Sequence, residues 1–486
     1  MSTALSRIIQ LSAEKQALVA ARLAPASFGQ QRLWFLDQLQ PDSPAYHIFT
    51  AVRLIGRLDV EAFRAALEGL VARHHVLRTS FPLIGGQLVQ LVHPPEPFPL
   101  EVASVAGGAE AELGPRLREL ARLEFERRFD LHAGPLLRVK LLQLGEDESV
   151  LMVTLHHIVF DGWSRRIFLG ELAALYRAAC EGVPAGLPEL PLQYGDFARW
   201  ERQWLTGDVL RQQLEYWRDR LQGAPPSLAL PFDRPRRDAT GARGGRLPFE
   251  FPAALADSLR RLCRQAGVTP FMLLLAAFKV LLSRYSGSQD VSVGTPVAGR
   301  GRPELEGLIG FFVNTLVLRT DLSGNPGFTE LLQRVREAAL GAYANQDLPF
   351  EKLVDELQPE REPGVSPLFQ VMFSVQNAVA EGAGFPGLRP APVDFEPSAA
   401  HFDLSLTLVE TESVIGGYFD FNRDHFDEAT IRRLSAHFGN LLEAIAADPG
   451  RPVGDVRLLG DGERRQLLEE WGSAPRALPQ SPTLHD

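Results

Sequence analysis

Cysteine is nearly missing from this sequence. Cys180 and Cys263 are the two that 486 positions contain, and they sit far apart in helix-like runs. That excludes a disulfide framework and the paired spacing of a structural zinc site, and it fits a reducing, cytoplasmic setting. Long apolar runs are missing too. None approaches the roughly 20 residues that span a bilayer, so no membrane partner is expected. The opening MSTALSRIIQLSAEKQALVAARLA lacks the apolar core and cleavage pattern of a signal peptide. There is no excess of basic charge: 50 Lys and Arg face 60 Asp and Glu, for a formal charge of −10. A general nucleic-acid binder needs clustered cations for its phosphate contacts, so that class is excluded as well. No GxxxxGK[ST] and no convincing GxGxxG occurs, so nothing points to ATP or a dinucleotide. No metal site and no permanently bound cofactor is expected.

What is present is ordinary globular composition, 45% hydrophobic and 23% charged, over a length that suggests two or three structural units. The most informative stretch is LMVTLHHIVFDGWS, residues 151 to 164. Its first five residues are apolar and partly β-branched, which predicts a buried strand. His156 and His157 follow. Adjacent strand residues point to opposite faces, so the pair cannot share one metal ion or one proton. Asp161-Gly162 marks a turn. From Arg165 to Ala179 the apolar residues recur at helical spacing. A histidine and a carboxylate are thus placed at the mouth of a strand-turn-helix unit. Taken alone, a histidine pair of this kind reads as two packed side chains and a turn aspartate.

Along the chain, residues 6 to 23 predict a short amphipathic helix that Pro25 breaks. SFGQQRLWFLDQL predicts a helix capped by Ser27. AVRLIGRLD alternates like a strand, and Asp59 opens a helix from Val60 to His75. PLLRVKLLQL is a further strand. A Pro- and Gly-containing connector at Gly182 to Pro191 suggests a boundary between two halves. Two apolar helices follow, Ala253 to Gln265 and Thr269 to Tyr285, the second largely buried. LIGFFVNTLVLRTDL predicts one long strand broken by the polar pair Asn314-Thr315, which needs partners. Asn377 to Ala399 predicts a Gly/Pro loop, and FDLSLTLVE with GGYFDFNRDHF a hairpin-like pair. The order is mixed α/β, with helices on the faces of a sheet.

HHIVFDGWS resembles the HHxxxDG signature of nonribosomal peptide synthetase condensation domains, a motif shared with related acyltransferases. Six further stretches resemble the family's signatures, in its order: SFGQQRLWFLDQL, RHHVLRTSF (with His75 where the family often has Glu), YGDFARW, IGFFVNTLVLR, QDLPFEKLVDEL and SPLFQVMFSVQN. The tail LLGDGERRQLLEEWG is similar to a linker leading into an adenylation domain. The resemblance implies two lobes, each like a chloramphenicol acetyltransferase subunit, set in a V as a pseudodimer with an active-site tunnel between them. It divides the chain into a linker helix at 1–24, a first lobe at 25–185, a second at 186–460 and a linker at 461–486.

On this resemblance His157 is the active-site histidine and His156 is structural. Asp161 pairs with an arginine and holds its loop, with Arg78 the candidate partner. Gly162, Trp163 and Ser164 line the site, and, on the chemistry of a thioester, backbone NH groups near Gly162 are expected to stabilise the oxyanion. Asn314 is the matching polar residue of the second lobe. Arg165 departs from the apolar residue many members carry there. Two readings of it stand: a charge that narrows the donor tunnel, or a side chain that reaches solvent. The implied reaction is amide formation between a carrier-bound aminoacyl amine and an acyl thioester. Partners are then peptidyl carrier domains with phosphopantetheine arms and a downstream adenylation domain. Only about two dozen residues precede the core, which favours a starter-type domain using an acyl-CoA or acyl-carrier donor. The alternatives are an internal peptide-bond-forming domain and a noncatalytic recruitment domain.

Overall fold

The computed structural model describes residues 22–471, except 42, 106–109, 236–242, 360–364, 378–383, 394–399, 401 and 411–414. The expected helix at 6–23 lies largely outside these. Its last part corrects the expectation, because Leu23–Pro25 is a strand paired with Gln87–Val92.

Two sheets organise the chain. The first has five strands in the order Arg389–Pro392, His47–Ile55, Glu148–His156, Leu137–Gly145, Glu101–Ser104. All neighbours are antiparallel except the last pair. Glu148–His156 is central and buried on both faces, which is why its sequence is a continuous apolar run. Its alternation is still visible in what each side chain meets. Leu151, Val153 and Leu155 join the main core of this lobe, against Phe63 and Leu67 of the helix Val60–Arg73 and Phe168 and Leu172 of the helix Gly162–Glu181. Val150 and Met152 join a small separate cluster with Leu117 and Ala121 of the helix Glu110–Glu126.

The second sheet has six strands in the order Asn314–Asp321, Asp290–Val297, Val371–Asn377, Leu404–Glu410, Ile415–Asn422, Gly244–Phe251. The two pairings of Val371–Asn377 are parallel and the rest antiparallel. The predicted hairpin at 404–422 is therefore present. The helix Pro270–Ser286 is buried over every residue from Met272 to Leu282. Thr269 caps its first turn, accepting from the Met272 N–H, and Gly287 ends it in the left-handed region at φ 73°. The helices Ala253–Ala266, Phe328–Ala344 and Glu428–Ala447 pack around it. Among the described residues no single helix is long and apolar enough to cross a membrane.

The halves are not separate in sequence as a cut at residue 185 implies. Leu305, Leu308, Ile309, Phe311 and Phe312 belong to the core of the first lobe. The expected Gly/Pro loop at 377–399 contains the strand Arg389–Pro392, which adds to the edge of the first sheet. The predicted long strand at 308–322 begins only at Asn314. Its apolar first part is buried because it crosses to the other lobe, not because it lies in a sheet.

Candidate functional site

The strand Glu148–His156 carries the histidine pair to this crossing. His156 is 2% exposed, with its ring against those of His47 and Phe129. Its Nδ1 accepts from the Ile158 N–H at 3.1 Å. Burial pushes its pKa well below the ordinary imidazole value, with positive charge on His47 and His157 acting the same way. Its ring is thus buried and held toward the neutral form. At His157 the backbone leaves the strand for a short 3₁₀ turn, His157–Val159. The ring is half-buried, edge-on to Phe311 with centroids 5.0 Å apart. Burial lowers its pKa, opposed by the Asp161 carboxylate. The two rings thus meet different neighbours, His156 as the last residue of the strand and His157 as the first of the turn.

Asp161 caps the helix Gly162–Glu181 and is fully buried. Its Oδ1 accepts from the Ser164 N–H at 2.8 Å and the Ser164 hydroxyl at 2.7 Å. Its Oδ2 accepts from the Phe312 N–H at 3.1 Å. The cation that balances it is Arg300, whose Nη2 donates to both oxygens at 3.1 and 3.2 Å. Nη1 of Arg300 donates to the carbonyls of Leu305 and Leu308, both at 2.7 Å, and the guanidinium lies 4.0 Å from the centre of the Phe312 ring. Arg78 is therefore not the partner. It ends the turn His75–Arg78, just before Thr79–Ser80 pairs with the strand Gln87–Val92, and its guanidinium donates to the carbonyls of His93 and Ala72. Arg300 carries no signal in the sequence: it ends the run VSVGTPVAGR, 139 residues from Asp161.

Two other expected site residues, Ser164 and Asn314, are also placed differently. Ser164 is fully buried, and its hydroxyl lies within 3.1 Å of Asp161, Arg300 and both backbone groups of Gly310. It is a strut of the knot and lines no opening. Asn314 gives both amide protons to the carbonyls of Gln346 and Leu348, and its Oδ1 accepts from the Thr315 and Phe350 N–H groups. Its polar group serves the turn into the helix Phe350–Leu357, leaving no proton for a substrate. Trp163 is half-buried, with its indole N–H committed to the Glu306 carbonyl at 3.0 Å. Arg165 is exposed on the first turn of its helix, which favours the solvent reading. Gly162, by contrast, opens on empty space: a Cβ there would meet nothing within 4 Å. Neither packing nor φ demands glycine at that position.

Further contacts across the seam are Arg32 with Glu351 at 3.0 Å, and the Ile309 N–H with Nδ1 of His74 at 3.5 Å. The candidate site is thus an imidazole whose pKa burial lowers, five residues before an Asp161-capped helix whose first residue has open space at its Cα, on a junction pinned by a buried ion pair.

A sequence profile for the Condensation domain matches residues 20–468. The chain belongs to the condensation-domain family. This condensation domain is 48% identical over 485 residues to one of the linear gramicidin synthase proteins of Brevibacillus parabrevis, covering 99% of the chain and 9% of that protein. With another protein of the same synthase it shares 47% over 464 residues, 95% of the chain and 6% of that relative. With phosphinothricin tripeptide synthetase PhsC of Streptomyces viridochromogenes it shares 43% over 447 residues, 92% of the chain and 41% of the relative. The chain therefore spans a minor part of each. Among solved structures, the X-domain from teicoplanin biosynthesis superposes with a TM-score of 0.82 at 33% identity, over 90% of this chain and 97% of that one. SgcC5 from Streptomyces globisporus superposes at 0.73 and 32% identity, over 88% and 100%. The mixed α/β fold expected from the motifs is the fold of these structures.

Proposed function

We propose that this condensation domain forms an amide bond between the amine of a carrier-bound aminoacyl group and a carrier-bound acyl or peptidyl thioester. The observation that carries the reading is the placement of His157. Its imidazole is held neutral by burial and stands on the lobe seam. Five residues on is a helix N-terminus whose first residue, Gly162, leaves room for a substrate chain.

A thioester is already activated, so this step needs no nucleotide. The attacking α-amine has a reference pKa near 8, so a substantial fraction is neutral at cellular pH. Holding amine and thioester in line lowers the barrier by several kcal/mol. His157 positions the amine and accepts its proton as the new C–N bond forms and the C–S bond breaks. Nδ1 is buried, with the backbone at Phe160 hydrogen-bonding the ring and acting to raise its pKa, so Nε2 is the nitrogen assigned to this task. Backbone N–H groups at the Gly162 end of the helix stabilise the oxyanion. The proposed partners are peptidyl carrier domains, whose phosphopantetheine arms reach the seam from either side, and an adenylation domain downstream.

For the donor, the long synthetase relatives support a carrier-bound peptidyl thioester and internal peptide-bond formation. The same relatives give no support to starter-type acylation from acyl-CoA. The test offers acyl-CoA, acyl-carrier and peptidyl-carrier donors with an aminoacyl-carrier acceptor and reads the product by intact mass. Product from the peptidyl carrier is expected, and product from acyl-CoA alone would reinstate the starter reading. A recruitment role is the second reading, because the teicoplanin X-domain is also known in complex with OxyB, at 34% identity to this chain. A folded chain that gives no product with any donor would favour it.

A further inference from the structure

The sequence around His157 does not hold itself in place. The 3₁₀ turn His157–Val159 exposes the Ile158 carbonyl to the interior, and the group that meets it comes from 128 residues earlier in the chain. Gln30 is fully buried, and its Nε2 donates to that carbonyl at 3.1 Å. Its Oε1 accepts from the Ser27 N–H at 3.1 Å, while the Gln30 N–H donates to Ser27 Oγ at 3.1 Å. Ser27 Oγ in turn lies 2.9 Å from the Tyr194 hydroxyl, and Tyr194 donates to the Phe311 carbonyl at 2.5 Å. A phenol has one proton. Because that proton goes to Phe311, the Ser27 hydroxyl must donate to Tyr194.

The result is one directed chain: the Gln30 N–H to Ser27, Ser27 to Tyr194, Tyr194 to the Phe311 carbonyl, with the Gln30 amide closing onto Ile158. It holds both walls of the imidazole. Ile158 follows His157 in its turn, and the Phe311 ring stands edge-on to it. Gly310 makes the arrangement possible, since a Cβ there would fall 2.0 Å from the Tyr194 ring. The capping box alone explains Ser27 and half of Gln30. It does not explain why the free half of a fully buried amide points at the histidine turn.

We propose that Gln30, acting with Tyr194, is a positioning residue for His157 and sets the angle of its imidazole at the lobe seam. The inference rests on the reaction proposed above, but its geometric part can be read without turnover.

Gln30→Met removes both side-chain bonds. Gln30→Glu keeps the acceptor for Ser27, and it keeps a donor toward Ile158 only while its carboxyl is protonated. For Gln30→Met, kcat should fall on the order of tenfold to a hundredfold, the size expected for a small misplacement of a reacting group, with KM nearly unchanged. For Gln30→Glu, the rate should approach the parent's at low pH and fall as the carboxyl ionises, an alkaline limb that the parent and Gln30→Met lack. A purely structural role would lower the melting temperature without bending the pH profile. In parallel, ¹⁵N–¹H correlations of the His157 ring should move in Gln30→Met and in Tyr194→Phe. Should Gln30→Met fail to fold, the limb in Gln30→Glu and the ring signals of Tyr194→Phe decide. Ring signals identical to the parent's in the folded variants overturn the proposal, and so do parent-like kcat values and pH profiles. Displaced ring signals in variants of a parent that makes no amide would support the positioning and count against the reaction.

Discussion

Arg300 reaches across 139 residues of chain to place one guanidinium nitrogen on both oxygens of Asp161. Their side chains are 1% and 0% exposed. Removing either member strands a buried charge, which costs about 3–5 kcal/mol, far more than losing a surface pair. Asp161→Ala and Arg300→Ala should each lose that much in urea unfolding. The double variant should lose clearly less than the sum, because the two share one interaction.

Glycine at position 162 serves no fold requirement, since a side chain there meets open space. Gly162→Ala should therefore keep or slightly raise the melting temperature, as alanine favours a helix. Gly162→Leu should fold equally well yet lose most of its turnover, because leucine would fill the space assigned to substrate. Thermal melts beside a turnover assay check both.

The fold's response to acid has a defined sign. His156 and His157 both have pKa values pushed below the ordinary imidazole value, chiefly by burial. Below about pH 6.5 the unfolded chain takes up protons that the folded chain refuses. The stability these neutral rings contribute is complete above that pH and is lost as pH falls toward the folded values. Once protonation of the attacking amine, with its reference pKa near 8, is divided out of the profile, the rate should hold down to a pH below 6.5, where His157 protonates. A pH series of urea midpoints and of kcat tests both.

Lys279 is the reverse of an ordinary surface lysine. It is fully buried in the helix Pro270–Ser286, with Nζ donating to the carbonyls of Val291 and Leu318 and to Thr320 Oγ1. Burial lowers its pKa to about 7. Between that value and 10.5 the unfolded chain holds the proton more tightly, so stability rises with pH across this window. Lys279→Met should be more stable than the parent at pH 7, by on the order of a few kcal/mol. The gap should narrow as pH approaches 10, as urea midpoints at the two pH values will show.

Arg165 is exposed. Arg165→Ala should leave the donor-length profile unchanged, measured over a series of acyl-carrier substrates. A shift toward longer chains would restore the tunnel-narrowing role.

Much of the site was legible because it obeys local rules. The buried strand ends at the histidine pair, and Asp161 is a helix cap three residues before Ser164. The seven ordered motifs carried the family. What stayed hidden was whatever two distant segments decide together. Arg300 reads as the end of a strand and turn, and only the crossing of 300–312 into the first core brings it to Asp161. The same crossing turns Leu308 to Val313 from an apparent strand into interlobe packing, and pairing with His47–Ile55 turns Arg389–Pro392 from an apparent loop into a sheet edge. Asn314 reads as a polar group in an apolar run, and Ser164 as a residue lining the site. Their partners, which are largely backbone groups of distant turns, leave no trace in spacing.

The central claim, that His157 serves a condensation reaction at the lobe seam, is tested most directly by one comparison. The parent chain and His157→Ala are given the same peptidyl-carrier donor and aminoacyl-carrier acceptor, and the product is counted by intact mass. The prediction is amide product from the parent, and its near-complete loss in His157→Ala at an unchanged melting temperature. Product at the parent's rate from a folded His157→Ala chain would contradict it.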